Sequence, residues 1–146
     1  MEAYADGDFE PAWMDFDDSD DDGILEATYS HLALRKGTQF RFELQGFGFR
    51  KKDGTWTGAP IPDRLEGHLF CFEVTNGVLI SNGYSEFDKD SKGLQTGISS
   101  LWTTSAVAKS GSIKITLYHQ PKIKTGDCDV PGSVVDFEVV LPIEIF

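Results

Sequence analysis

Apolar residues recur at every second position through most of this chain. In GTQFRFELQGFGFR, Phe40, Phe42 and Leu44 share one parity while Gln39, Arg41 and Glu43 share the other. That is the period of a strand with one face buried. The parity then flips, because Phe47 and Phe49 are the next apolar residues, and Gly46 stands at the switch. A bulge or bend is predicted there. In KKDGTW, Asp53-Gly54 supplies the positive φ angles that a two-residue hairpin turn needs. GAPIPDR closes this unit as an irregular loop.

The next stretch, GHLFCFEVTNGVLIS, has Leu69 and Cys71 on one face and Phe70, Phe72 and Val74 on the other. This is the pattern of a strand covered on both sides. Asn76-Gly77 predicts a hairpin with Val78 to Ser81 returning, and Asn82-Gly83 predicts a turn into the charged loop YSEFDKDSKG. ISSLWTTSAVAKSG is compatible with strand or short helix. SIKITLYH alternates, with Ile113, Ile115 and Leu117 inward and Lys114, Thr116 and Tyr118 outward. In SVVDFEVVLPIEIF, Val135, Phe137, Val139 and Leu141 share a face, and Pro142 suits an edge strand or a bulge. Short strands with turn signals at regular intervals, and no long amphipathic helix, predict an all-β fold. The expectation is an antiparallel β-sandwich of jelly-roll or Greek-key type, its last strand pairing with an early one. Phe42, Phe72, Ile115 and Phe137 are expected in its core.

Charge changes this picture at one end. Of the chain's 24 acids, 11 lie in residues 1–26, where there is no Lys or Arg. The remaining 13 acids are matched by 13 bases, so the net charge of −11 is a property of the N-terminal block. The expected organisation is an acidic-aromatic arm over residues 1–23 and one domain over 24–146, a size that buries a full core. A balanced body argues against nucleic acid as a partner. No apolar run is long enough to cross a membrane, and no secretory signal is seen. Cys71 and Cys128 form no C-x-x-C pattern. They are expected as two unpaired thiols, with the cytoplasm favoured as compartment.

The arm carries two patterns. In DFDDSDDDG, six aspartates occupy the eight positions 15–22. Asp18, Asp20, Asp22 and Gly23 stand at positions one, three, five and six of an EF-hand loop. Position twelve is Tyr29 where a bidentate glutamate is required, so an EF-hand is not expected. Asp18, Asp20 and Asp22 are left as candidate calcium ligands of another loop type. DKDSKG, residues 88–93, repeats half the pattern with Lys92 at a ligand position. The second pattern interleaves aromatics with acids. Phe9, Trp13 and Phe16 suit anchors for a protein partner, with Asp17 and Asp20 steering toward a basic rim.

Catalytic signatures are absent, and the protein is expected to be no enzyme. His31, His68 and His119 lie in predicted strands without a motif; a minor reading has His68 and His119 meeting across a sheet and recruiting Asp127 for a metal. The main expectation is an interaction or assembly protein whose arm docks on a neighbouring subunit, making a homo-oligomer, or on an inhibited target. The alternative is a calcium-dependent carbohydrate-binding module of lectin type, with Trp56 beside a turn as its ligand platform and Trp102 in the core.

Overall fold

The structure, a computed structural model, describes residues 32–44 and 66–146 in full apart from the Phe137 side chain. It also describes the backbone of five short strands at 2–5, 14–17, 26–29, 48–50 and 56–58. Among the described residues there is no α-helix, hence none long and apolar enough to cross a membrane. The chain is all-β. One sheet has the order β1 (Glu2–Ala5), β5 (Gln39–Glu43), β10 (Ser99–Thr104), β9 (Leu79–Tyr84). The other runs β4 (Ala33–Leu34), β12 (Val134–Ile145), β11 (Lys109–His119), β8 (His68–Val74). Two small ladders join β2 (Met14–Asp17) to β3 (Glu26–Tyr29) and β6 (Gly48–Arg50) to β7 (Trp56–Gly58). Pairing is antiparallel except between β12 and β4, where the end of the chain meets one of its early strands in parallel.

The alternation seen in the sequence becomes a shared core between the two large sheets. Phe40, Phe42 and Leu44 from β5 and its end, Trp102 from β10, and Ile113, Ile115, Leu141, Ile143 and Ile145 from β11 and β12 are all buried in one cluster. Phe72, partly buried, joins the sheets by edge-on ring contacts to Phe42 at 5.7 Å and Trp102 at 5.6 Å. Of the four expected core residues, Phe42 and Ile115 are buried, Phe72 is partly so, and the Phe137 side chain lies outside the described residues. ISSLWTT resolves as strand β10, which buries Trp102 as expected.

Both Asn-Gly pairs behave differently from expectation. Asn76 and Gly77 do adopt positive φ, 54° and 60°. Yet β8 and β9 belong to different sheets, so the turn is a corner that carries the chain across the core. The N–H of Thr75 still donates to Ser112 of β11, while Val78 already accepts from Ser105, the residue after β10. Two more crossings, at 35–37 and 105–108, gather at the same end: Lys36 N–H donates to the Phe146 carbonyl and Gly37 N–H to that of Ser105. Buried Thr104 ties this corner by accepting from Thr38 N–H and donating to the Arg35 carbonyl. Asn82-Gly83 makes no turn. The pair lies inside β9, where Ser81 and Tyr84 oppose Trp102 and Ser100, so two residues face one and form a bulge.

β12 is also corrected. Val135 was expected inward with Val139 and Leu141 but is exposed, because the β11–β12 register shifts between Leu117 and Tyr118. Val135 pairs with Tyr118, Phe137 with Leu117, and Asp136 is the extra residue. Pro142 sits where it does no damage. Glu144 N–H points to Leu32 on the β4 side, and N–H directions alternate, so Pro142 would donate on that same side. β4 is too short to reach it.

Gly46, Asp53 and Gly54, with the turn between β6 and β7, lie outside the described residues.

Candidate functional site

Cys71 and Cys128 are bonded to each other, 57 residues apart with Cα atoms 6.2 Å apart, which overturns the expectation of two unpaired thiols. The cause is tertiary. After β11 the chain folds back, and the bond at Cys128 holds the 120–133 loop against Cys71 on the outer face of the second sheet. On that face Leu69, at outward parity, is fully buried, and Thr116, directly opposite Cys71, is buried. Expected coverage of β8 on both faces is met, with this loop as the outer cover. Gln120, fully buried, is the loop's own centre; its Nε2 donates to the Asp127 carbonyl and the Ser133 hydroxyl.

The loop is also held by charge. Lys124 Nζ donates to Asp90 Oδ2 at 2.7 Å, and both side chains are sealed, at 2% and 0% exposure. Asp90 Oδ1 accepts from the N–H groups of Lys92 and Leu94. Burial alone would raise the Asp90 carboxyl. The Lys124 bond and charge and the two amides outweigh burial and hold it below the usual carboxylate range. Asp88 is likewise filled from within the chain, accepting from Gly97 N–H at 2.8 Å, Ile98 N–H at 3.1 Å and the Thr96 hydroxyl. DKDSKG is thus a loop organised around two buried carboxylates whose lone pairs are taken by protein donors.

At the end of the second sheet opposite the three crossings lies a different kind of cluster. His68 opens β8, His119 closes β11, and the antiparallel register sets them directly opposite each other. By parity both point to the side of the sheet that carries Phe70 and Ile115. Asp136 comes from β12 on the far side of β11, aimed by the bulge. His119 Nδ1 lies 2.8 Å from His68 Nε2, which lies 2.9 Å from Asp136 Oδ2; His119 Nδ1 and Asp136 Oδ2 are 3.8 Å apart. The three side chains are 22%, 40% and 39% exposed, a rim position open to solvent on one side. Among the described residues it is the one group of three such side chains whose donor atoms converge closely enough for a metal ion.

The cross-strand meeting of His68 and His119 was legible in the sequence. The third member is corrected from Asp127 to Asp136. Asp127 lies in the covering loop, within reach of the Thr125 hydroxyl. No sequence signal marked the bulge: the doubled valine before Asp136 recurs at Val139-Val140, where the register runs unbroken.

Other site expectations fall elsewhere. The side chains of Phe9, Trp13, Phe16, Asp17, Asp18, Asp20, Asp22 and Trp56 lie outside the described residues, as does His31. Of the backbone around them, β2 contains Phe16 and Asp17, β7 begins at Trp56, and the aspartates at 18, 20, 21 and 22 fall between the paired strands β2 and β3. Compared with family models, with curated proteins and with solved structures, the chain matches none.

Proposed function

We propose that this is a non-enzymatic interaction or assembly protein, a β-sandwich of jelly-roll or Greek-key type that offers an acidic-aromatic N-terminal arm, residues 1–23, to a protein partner. The observation that carries this reading is the pairing of β2 with β3, which makes the aspartate run the connection between two paired strands. On one side of it the chain is joined to the sheet through β1 on β5, and on the other through buried Leu32. A segment tied at both ends loses less conformational freedom on docking than a trailing tail. Phe9, Trp13 and Phe16 are the anchors of this reading, and Asp17 and Asp20 steer a basic partner surface. The body's own bases are balanced by its own acids, so the complementary charge comes from another molecule, a neighbouring subunit or an inhibited target. The Cys71–Cys128 bond favours an oxidising compartment over the cytoplasm.

The test is affinity capture from the source organism with the full chain. Run beside it are a variant with Asp17, Asp18, Asp20, Asp21 and Asp22 changed to Asn and one with Phe9, Trp13 and Phe16 changed to Ser. A partner held by the natural chain, weakened by salt and lost in both variants is the expected result. A partner retained equally by both variants sinks the reading.

A further inference from the structure

We propose that His68, His119 and Asp136 form a binding site for a divalent transition-metal ion of the zinc class, independent of the arm. A neutral imidazole nitrogen either donates or accepts, and His68 Nε2 is approached at bonding distance by both His119 Nδ1 and Asp136 Oδ2. The three separations put those two approaches about 84° apart at His68 Nε2, so one N–H cannot point along both. A single cation resolves the conflict, because all three atoms then direct lone pairs at the same charge.

The three atoms converge closely enough to share one ion. A circle through the three atoms has a radius of about 1.9 Å, from separations of 2.8, 2.9 and 3.8 Å. An ion about 2.05 Å from each, the usual zinc distance to nitrogen and oxygen, therefore sits about 0.7 Å out of their plane. That is the height of a tetrahedral ion above three of its ligands. The angles at the ion, however, are about 86°, 90° and 136° rather than about 109°, so zinc binding draws the two short separations out toward about 3.3 Å and leaves the fourth position for water on the open side. Two imidazoles and one carboxylate suit zinc, copper and nickel; calcium and magnesium prefer oxygen ligands throughout. The donors come from three adjacent strands, β8, β11 and β12, so a bound ion also clamps that end of the sheet.

The full, disulfide-bonded chain is titrated with zinc by calorimetry, with calcium as the control. Histidine imidazole nitrogens are followed by NMR on the natural chain. Expected are one saturable zinc site per chain, no competition from calcium, and shifts at Nε2 of His68 and Nδ1 of His119 while His31 is unmoved. His68→Gln with His119→Gln abolishes the site and Asp136→Asn weakens it at least roughly tenfold, with the far-ultraviolet spectrum kept. Zinc held by the aspartate run would persist in both variants. Undiminished binding in the double variant, no saturable binding at all, or imidazole shifts confined to His31 would overturn the proposal. The NMR arm decides the matter should the double variant unfold.

Discussion

Lys124 and Asp90 show how much can rest on two side chains. Their bond joins the covering loop to the 88–94 loop with both groups out of solvent. Removing one partner of such a pair leaves a buried uncompensated charge, and Lys124→Ala is expected to cost about 3–5 kcal/mol in urea unfolding at neutral pH. The pH dependence follows from the depressed Asp90 carboxyl. Its folded value lies below the unfolded value of about 3.9, so its contribution is full above that pH and is lost as pH falls through the folded value. The difference between natural and Lys124→Ala chains should therefore shrink in acid; a constant difference from pH 7 down to pH 3 would contradict the assignment. Gly111 is a second single-residue constraint. A Cβ there would lie 2.6 Å from the Thr75 carbonyl oxygen and 2.7 Å from Val78 Cγ1, at the corner where the chain changes sheets. Gly111→Ala is expected to cost about 1–3 kcal/mol, read as a lower urea midpoint.

At the scale of elements, the loop at 120–133 packs on a sheet face, as a strand of a further sheet would. It is fastened at Cys128, Lys124 and Gln120, on the face where Leu69 and Thr116 are buried. Replacing both cysteines by serine is expected to cost about 2–5 kcal/mol, since the bond closes a loop of 57 residues. Faster amide exchange should appear at Leu69 and Thr116 and spare Trp102, which is buried between the sheets. Uniform exchange across both would mean that the loop is no separate cover. The bulge in β12 is the other element-scale device. One inserted residue turns Val135 outward, brings Asp136 to the histidines and restores the inward parity for Leu141, Ile143 and Ile145.

For the whole molecule, stability rests on two sheets sharing one cluster. Phe42 touches Phe72 across the core, so Phe42→Ala removes contacts from both sheets at once and is expected to cost about 3–5 kcal/mol. Against an ordinary total of about 5–15 kcal/mol this leaves a marginal fold. Because Trp102 belongs to the same cluster, its fluorescence and the far-ultraviolet signal should move together in that variant. Separate midpoints would show that the sheets unfold independently.

Local order along the chain dictates only what lies within a few residues of each position. Alternation placed Phe40, Phe42 and Leu44 on one face and Ile113 and Ile115 on another, because a strand's side chains alternate whatever it pairs with. Asn76-Gly77 announced its left-handed backbone, and the counts of Lys, Arg, Asp and Glu located the charge. The same Asn-Gly pair could not say whether the chain would return beside β8 or cross to β10, since both paths use one turn and differ only in distant partners. Cys71 found Cys128 because the loop after β11 needed to cover Leu69, a demand made by the sheet and not by either cysteine's neighbours. His68 and His119 met through strand register. Asp136, at 39% exposure on the open rim, took the third place in preference to Asp127 because a bulge in β12 turned it toward them, and only the paired strands decide where such a bulge falls.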